Sequence, residues 1–562
     1  MRAMAAERGV FLDGERKCAM DVARGRLVVA AFLFVAAFCA LMVRTVELGL
    51  SAPSAVPRQV AELPSLLPQM ARADIVDRRG EVLATNLQAA SLYADASRIA
   101  DPDATAQALA AILPGLPEAD IRARLASGKR FVWIRRKLTP RQKWQVNALG
   151  NPALGFRNEE ERVYPHGRLA AHVLGHVDVD GNGLAGVEHY FNTALTNSNG
   201  NGQTLALSLD ARVQYALADE LEAAMRAHHA KGAAGVVMDV NTGEVLALVS
   251  LPDFDPNAAA GTVAKARFNR ATQGVYELGS TFKTFTFAAA LDNGIAGLGD
   301  GYDATKPLRV SRFLIRDDHP KARYLSLPEI FAYSSNIGTA QLALDLGTDR
   351  QRHFLDSIGL LQPAAIELTE VGAPLYPANW RKTATVTISY GHGIAVSPIQ
   401  LARGIAAMVN GGRLIPATLV AKSGTPSPGE QVISASTSRK IRQLLRMAVK
   451  KGTGGRAEAV GYRVGGKTGT AEKPAGGMYD RGALISSFIG SFPMDDPQYV
   501  VFALLDEPRG IESTHGFASG GWTAAPVVRN VILRTAPLLG VAPRPENDSL
   551  YRQVALMITD DD

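Results

Sequence analysis

The chain has 562 residues, more than one hydrophobic core usually organises, so two or more domains are expected. Its hydrophobic content of 47% and charged content of 20% describe a globular protein. The formal charge of +6 is modest, and the basic residues are spread along the chain, so no nucleic-acid partner is predicted. Both cysteines, Cys18 and Cys39, precede residue 50, which excludes an intrachain disulfide in the main domains and leaves the compartment open.

An uninterrupted apolar run from Leu27 to Val43 stands near the N-terminus. It reaches the lower limit of about 17 residues for crossing a bilayer, and arginines flank both ends. A cleaved signal peptide is the alternative, but no small-x-small cleavage site follows the run cleanly. The positive-inside rule therefore predicts a cytoplasmic tail over 1–26, a transmembrane helix over 27–46 and everything after it outside.

The segment after the apolar run divides into a linker and the start of a domain. Residues 47–71 contain proline, serine and alanine and are interpreted as a linker. Arg72–Ala84 contains two short strand-like pieces with a turn at Arg79-Gly80. Residues 100–150 contain two helical patterns and a strand over Phe131–Lys137.

A second domain is predicted from about residue 203 onward. Its pattern runs from strand to helix, through a hairpin with an Asn-Thr-Gly turn, into a long helical middle, and ends in strands and a final helix. This order indicates a central antiparallel sheet with helices on both sides, hence an α+β fold class. The predicted segments are Gln203–Asp210, Val213–His228, Gly235–Val249, 279–410, Tyr462–Ala471, 484–506 and Thr523–Leu539. Residues 541–562 are predicted to be a mobile tail.

A Ser-x-x-Lys pattern at Ser280 and Lys283 carries the first chemical signal. A glycine precedes the serine and an apolar helical pattern follows it, so both side chains are expected on one face of a helix's first turns. A serine hydroxyl needs a base to become a nucleophile, and a buried lysine of depressed pKa can supply one. Alone, the pattern is short and most often marks a solvated helix face.

Two further motifs follow in order and make the pattern specific. Ser334 and Asn336 form a Ser-x-Asn, and Lys467-Thr468-Gly469-Thr470 contains the chain's single Lys-Thr-Gly. This ordered triple resembles the signature of the penicillin-recognising serine enzymes. The segments Arg72–Ala84, Glu161–His172 and Gly181–Glu188 further resemble boxes of class B penicillin-binding proteins, although Ala73 replaces the usual glycine of the first box.

The resemblance implies a role for each motif residue. Ser280 would be the nucleophile, Lys283 the general base, and Ser334 a proton relay between either lysine and the leaving amine. Asn336 would orient Lys283 and bind the substrate peptide. The Lys-Thr-Gly strand would lie at a sheet edge beside the serine, where an extended peptide could pair with it. Its members Lys467, Thr468, Gly469 and Thr470 would bind the substrate and its terminal carboxylate, and the backbone N–H groups of Ser280 and Thr470 would form the oxyanion hole.

The resemblance also implies the domain organisation and the reaction. A non-catalytic pedestal would span 72–202 and a transpeptidase domain 203–540. The enzyme would be a periplasmic, single-pass inner-membrane D,D-transpeptidase that cross-links stem pentapeptides and is acylated by β-lactams. The Ser-Ser-Asn-Ile-Gly form of the second motif favours the division-specific type, with a membrane glycan polymerase of the FtsW kind as partner. Alternatives are an elongation-type transpeptidase, a β-lactamase, or a non-catalytic β-lactam sensor or scaffold.

Several residues carry weaker expectations. Leu278 stands where the family usually has proline, and a leucine can adopt the same φ, so reduced loop rigidity and retained activity are expected. His319 and His392 are interpreted as structural, and catalytic roles are the less common alternative. Two arrangements are equally expected for Arg72, Arg162 and Glu188. The three residues either form a buried ion-pair network or are separate surface charges. No cluster has metal-ligand spacing, so neither a metal nor a cofactor is predicted.

Overall fold

The computed structural model describes residues 7–50, 72–196, 204–422, 424, 428–475, 478–544 and 549–555. The chain divides into two compact units, Met1–Gln69 and Met70–Asp562. Most of the predicted linker, residues 51–71, lies outside the described residues, as do residues 545–548 and 556–562 of the predicted tail.

The predicted transmembrane segment lies within one long helix, α1 (Glu7–Leu50). Among the described residues, Val22–Thr45 is the one stretch long and apolar enough to span a membrane, with a mean hydropathy of 2.5. Large apolar side chains such as Phe32 and Phe34 are more than 70% exposed, as suits a helix surrounded by lipid. The helix begins well before residue 27 because no proline interrupts the preceding residues. The chain is a single-pass membrane protein.

Residues 72–206 form a mixed module around the long strand β2. Its elements are β1 (Ile75–Val76), β2 (Val82–Ala94), α2 (Pro102–Ile112), α3 (Glu118–Leu125), β3 (Val132–Leu138), α4 (Pro140–Ala148), β4 (Leu154–Val163), α5 (Ala171–Leu174), α6 (Gly186–Tyr190), α7 (Asn192–Thr196) and β5 (Leu205–Ala206). Strand β2 pairs antiparallel with β1, β3 and β4, and β1 pairs in parallel with β5. The predicted turn between β1 and β2 is confirmed, with Gly80 at φ +88°.

The helices of this module differ from the sequence prediction in number. Residues 100–150 hold three helices, of which α4 follows β3, whereas two helical patterns were predicted. Its start is fixed by a capping box: Thr139 Oγ1 accepts from Gln142 N at 3.2 Å, and Gln142 Oε1 accepts from Thr139 N at 3.0 Å.

The buried network of Arg72, Arg162 and Glu188 is present. Arg72 Nε donates to Glu188 Oε2 at 2.6 Å, and Arg162 Nε donates to Glu188 Oε1 at 2.7 Å. Glu188 is fully buried and both arginines are at most 7% exposed. Arg72 also donates to Asn192 Oδ1 at 2.8 Å and to the Glu188 carbonyl at 2.6 Å. One carboxylate therefore joins the beginning of the module, strand β4 and helix α6.

We expect Glu188→Gln to destabilise the protein strongly. The amide removes the charge that two buried guanidinium groups share, and breaking a buried ion pair costs about 3–5 kcal/mol. The thermal midpoint of the detergent-solubilised chain should fall clearly. The control is Glu118→Gln, which removes an exposed i,i+4 partner of Arg122 on α3 and should cost no more than about 0.5 kcal/mol. Equal midpoints for both variants would contradict the prediction.

The rest of the chain surrounds a second, larger sheet. Its elements are α8 (Ala211–Ala227), β6 (Gly232–Asp239), β7 (Val245–Leu251), α9 (Ala264–Arg267), α10 (Lys283–Asp292), β8 (Gly301–Asp303), β9 (Leu308–Val310), β10 (Phe313–Ile315), β11 (Tyr324–Ser326), α11 (Leu327–Ala332), α12 (Asn336–Leu346), α13 (Thr348–Ser357), α14 (Lys382–Ser389), α15 (Pro398–Val409), β12 (Arg413–Leu414), β13 (Glu430–Gln431), α16 (Ala435–Lys450), β14 (Gly465–Ala475), β15 (Met478–Phe492), β16 (Tyr499–Asp506), α17 (Gly520–Thr535) and α18 (Ser549–Ala555).

The predicted antiparallel sheet with helices on both faces is confirmed. Its strand order is β14-β15-β16-β6-β7, with every neighbouring pair antiparallel. Alternate residues of one strand enter different cores: Phe502 packs with the helices α10, α15 and α16, while Val501 and Ala503 pack with α8 and α17. This is the period of two that a strand buried on both faces requires. The hairpin β6–β7 and the meander β14–β15–β16 also match the prediction.

Two parts of this region differ from the sequence prediction. The strand expected over Gln203–Asp210 is reduced to β5, and Gln203 lies outside the described residues. The tail was predicted to be mobile throughout 541–562, which is wrong for α18. Its Val554 is 1% exposed and packs against Ala332 and Met447. The prediction missed this short apolar contact because the sequence ends in acidic residues.

Candidate active site

The Ser-x-x-Lys segment begins in a tight turn rather than in an α-helix. Gly279–Phe282 forms a 3₁₀ turn that runs directly into α10, and Ser280 is half-buried within it. Gly279 has φ +53°, and a Cβ on it would lie 2.5 Å from the Thr470 carbonyl and 3.2 Å from the Thr470 N. Only glycine allows both this backbone conformation and this approach. The turn therefore seats Ser280 against strand β14.

Lys283 is completely buried at the start of α10. Its Nζ donates to Asn336 Oδ1 at 2.8 Å, to Ser334 Oγ at 3.0 Å, and to the Ser334 carbonyl. Burial lowers the pKa of Lys283 to about 7, while the nearby carboxylates of Asp317 and Asp318 act in the opposite direction. A lysine with this pKa is about half neutral at pH 7, and its neutral form can act as a base.

Ser334 lies between the two buried lysines of the motifs. Lys467 Nζ donates to Ser334 Oγ at 3.0 Å, the same distance as Lys283 Nζ, and contacts Thr468 Oγ1 at 3.3 Å. Burial and the charge of Lys283 hold the pKa of Lys467 well below its usual range. Since both lysine amines donate to the Ser334 hydroxyl oxygen, the proton of that hydroxyl is free to point elsewhere. Ser334 has φ +61°, an uncommon conformation for a side-chain-bearing residue.

The Lys-Thr-Gly motif lies on β14, at the edge of the sheet, as the sequence predicted. Thr468 Oγ1 lies 2.8 Å from Thr453 Oγ1, and Thr470 Oγ1 accepts from Gly520 N at 3.1 Å. A Cβ on Gly469 would lie 2.3 Å from the Leu278 carbonyl. The glycine therefore has a packing reason inside the protein, in addition to the substrate approach expected from the sequence.

The structure brings all the predicted site residues to one place. Ser280 and Lys283 come from the turn and α10, Ser334 and Asn336 from the start of α12, and the Lys-Thr-Gly residues from β14. Among the described residues, no group of three or more His, Cys, Asp or Glu is arranged to hold a metal ion. The arrangement offers the hydroxyl of the half-buried Ser280, a buried base and a proton-bearing hydroxyl, which are the parts that acyl transfer needs.

Asp317 is a site residue that sequence reasoning missed. Its carboxylate accepts from Ser335 Oγ at 2.7 Å, from Asn336 N at 2.6 Å and from Ile337 N at 2.9 Å. It thus caps the helix that carries the Ser-x-Asn motif, although α12 begins many residues later in the chain. No local pattern links an aspartate to a cap so far along the sequence.

A second group of contacts near the site, around Glu277, was also not predicted from the sequence. Glu277 accepts from Gly393 N at 3.0 Å and from Tyr479 Oη at 3.1 Å, and burial raises its pKa. The ring of His392 lies 5.8 Å from that of Tyr479. Burial, followed by the charge of Lys283, lowers the pKa of His392. His392, interpreted from the sequence as structural, packs beside the site, while His319 is exposed.

Leu278, at the position of the usual proline, is 1% exposed and has φ −100°. Proline would hold φ near −65°. Leu278 therefore departs from the φ that the usual proline would impose, and the expected reduction in loop rigidity stays a prediction. Its carbonyl accepts from Thr281 Oγ1 at 3.0 Å, so the turn is held by a hydrogen bond.

Comparison with protein families matches two models to this chain. Residues 233–533 match the penicillin binding protein transpeptidase domain, and residues 69–208 match the penicillin-binding protein dimerisation domain. Together these models cover most of the part of the chain that follows the membrane helix.

Similar proteins match over nearly the same length. The probable peptidoglycan D,D-transpeptidase FtsI of Caulobacter vibrioides is 41% identical over 487 residues, 85% of this chain and 82% of that protein. The peptidoglycan D,D-transpeptidase FtsI of Escherichia coli K12 is 31% identical over 503 residues, 83% of each chain. The crystal structure of penicillin binding protein 3 of Mycobacterium tuberculosis with ampicillin is 25% identical, with a TM-score of 0.68, covering 86% of this chain and 98% of that one.

Proposed function

The chain belongs to the penicillin-binding proteins, in the FtsI-type peptidoglycan D,D-transpeptidase family, and we propose that it cross-links stem peptides through an acyl-enzyme on Ser280. The observation that carries this proposal is the convergence of two buried lysines on the Ser334 hydroxyl, with Lys283 three residues after Ser280. Lys283 Nζ and Lys467 Nζ each lie 3.0 Å from Ser334 Oγ. In this proposal the catalytic residues are Ser280, Lys283, Ser334, Asn336 and Lys467, and the residues that bind the substrate are Thr468, Gly469 and Thr470.

The first half-reaction forms the acyl-enzyme. Ser280 Oγ attacks the carbonyl carbon of the penultimate D-alanine as its proton passes to the neutral Lys283 Nζ. A C–O bond forms, the C–N bond to the terminal D-alanine breaks, and the leaving nitrogen takes a proton through the Ser334 hydroxyl. The backbone N–H groups of Ser280 and Thr470 stabilise the negative charge on the carbonyl oxygen. Thr468 and Thr470 bind the terminal carboxylate.

The second half-reaction transfers the acyl group to an amine of a neighbouring stem peptide. The amine nitrogen attacks the ester carbon, a C–N bond forms, and the C–O bond to Ser280 breaks. The proton lost by the amine returns to Ser280 Oγ through Ser334 and Lys283. Lys467 holds the Ser334 hydroxyl in place for both steps. A β-lactam follows only the first half-reaction, since its leaving group stays attached.

The proposal also covers the domain organisation of the chain and its location in the cell. We place a non-catalytic pedestal at 72–202 and the transpeptidase domain at 203–540. The basic N-terminal residues favour a cytoplasmic 1–26 and a periplasmic catalytic domain. The Ser-Ser-Asn-Ile-Gly motif and the FtsI relatives support a role at the division septum, with a glycan polymerase of the FtsW kind as partner. A fluorescent fusion concentrated along the lateral wall instead of the septum would favour the elongation type.

The test of the reaction uses the detergent-solubilised full chain, a synthetic stem peptide ending in D-alanyl-D-alanine and a primary amine acceptor. Mass spectrometry should detect released D-alanine together with the amide product. The penicilloyl-enzyme should persist for many minutes. D-alanine release without amide product, with penicilloyl turnover in seconds, would instead identify a hydrolase. A folded chain that forms no acyl-enzyme would be a scaffold.

A further inference from the structure

Asp317 stands outside all three motifs, yet it contacts the second one through three hydrogen bonds. It lies on the loop that follows β10, and its carboxylate accepts from Ser335 Oγ, Asn336 N and Ile337 N at 2.6–2.9 Å. The neighbouring Arg316 carbonyl accepts from Asn336 Nδ2 at 3.2 Å. The loop thus holds both the backbone and the side chain of Asn336.

This anchoring fixes the groups that contact Lys283. Lys283 Nζ donates to Asn336 Oδ1 and to Ser334 Oγ. These two acceptor residues are the sequence neighbours of Ser335, which Asp317 binds. Ser334 has a left-handed backbone conformation, which is sparsely populated and persists only where surrounding contacts impose it. Since Asp317 binds Ser335 and the next two N–H groups, it supplies such contacts directly after Ser334.

The charge of Asp317 acts on the same lysine. The titratable groups that face Lys283 come from three other elements: Lys467 on β14, His392 on the loop after α14, and Asp317 with Asp318 on the loop after β10. Of these groups only the two aspartates carry negative charge. The direct hydrogen-bond partners of Lys283 Nζ are Ser334 and Asn336, and the two aspartates act on the lysine through their charge.

We propose that Asp317 is a positioning residue for acyl transfer: its hydrogen bonds hold the Ser334–Asn336 turn against Lys283, and its negative charge acts on that lysine. This inference rests on the proposed roles of Ser280 and Lys283. The two aspartates make its two parts separable, because Asp317 accepts hydrogen bonds and carries charge, whereas the neighbouring Asp318 is exposed and supplies charge alone.

The direction of the pH effect follows from the sign of the charge. A nearby carboxylate stabilises the protonated lysine, so its removal lets Lys283 lose its proton at lower pH. Acylation needs neutral Lys283, and its rate therefore rises with pH on the acidic side. Without the Asp317 charge, this rise should move to lower pH. A residue that only supported the fold would instead lower the rate at every pH.

The test compares three variants of the detergent-solubilised full chain by their second-order rates of acylation with a fluorescent penicillin from pH 5 to pH 9. Asp317→Asn keeps acceptors for the two backbone N–H groups and removes the charge. The midpoint of its acidic limb should fall by about half a pH unit or more, with a smaller loss of plateau rate than in Asp317→Ala. Asp318→Asn should shift the midpoint in the same direction by less. Asp317→Ala, which also removes the hydrogen bonds, should lower the plateau at least about tenfold.

Two results would overturn the inference. One is an Asp317→Asn midpoint equal to that of the wild type. The other is an equal loss of rate at all pH values in Asp317→Asn and Asp317→Ala. A wild-type chain that folds but is never acylated at Ser280 would reject the proposed function itself, and peptide mapping of the labelled site distinguishes that failure from the other two. Asp317→Asn keeps the test valid even where Asp317→Ala does not fold.

Discussion

Ser280→Ala is expected to abolish covalent labelling by a fluorescent penicillin, with a loss in acylation rate of roughly 10⁴-fold or more. The acyl-enzyme needs an oxygen at this position, and alanine removes it without adding bulk to the turn. Thr281 Oγ1 lies nearby in sequence but is buried and bonded to the Leu278 carbonyl, so it offers no substitute nucleophile. Membranes that carry the full chain allow the measurement by gel fluorescence.

The matched control is Ser436→Ala, which removes an exposed serine hydroxyl on α16 and should label like the wild type. A long-lived label on the wild type and on this control, with none on Ser280→Ala, identifies the nucleophile. Equal labelling of Ser280→Ala and the wild type would contradict the assignment. The protein should then be reinterpreted as a wall-binding scaffold whose three motifs do not catalyse.

Lys283→Met is expected to lower the acylation rate by roughly 10²–10⁴-fold, the usual contribution of a general base. Methionine has a similar length and fills the buried space, so the core should remain intact while the base is lost. The pH dependence adds a second readout. With the pKa of Lys283 at about 7, the wild-type rate should rise as pH increases through neutrality, because only the neutral amine accepts the serine proton.

The pH profile of Lys283→Met should lose this rise. Lys283→Arg serves as the control for charge, since guanidinium keeps a positive group near Ser334 but does not act as a base in this range. Both variants should bind β-lactam non-covalently yet acylate slowly. A Lys283→Met enzyme that keeps the wild-type profile would assign the base to another group, and Lys467 would be the next candidate because it contacts the same Ser334 hydroxyl.

Much of the fold was predictable because its long elements carry strong periodic patterns. An Asn-Thr-Gly turn between two apolar strands predicts the hairpin β6–β7. An uninterrupted run of apolar residues predicts the membrane segment. Short elements were harder to predict: α4 depends on a capping box, and α18, in the tail predicted to be mobile, depends on a tertiary contact of Val554. Short elements gain little from propensity and form where capping and packing stabilise them.

The sequence by itself determined the candidate chemistry, since the ordered motifs place a serine and two lysines in one family pattern. Tertiary structure decided the rest. Ser334 lies 51 residues from Lys283 and 133 from Lys467, yet one hydroxyl contacts both. The Arg72–Glu188–Arg162 network, the Asp317 cap and the pKa of Lys283 likewise depend on groups distant in the chain. A motif records which residues are present and their local spacing, whereas burial and charge arise only when separate segments pack together.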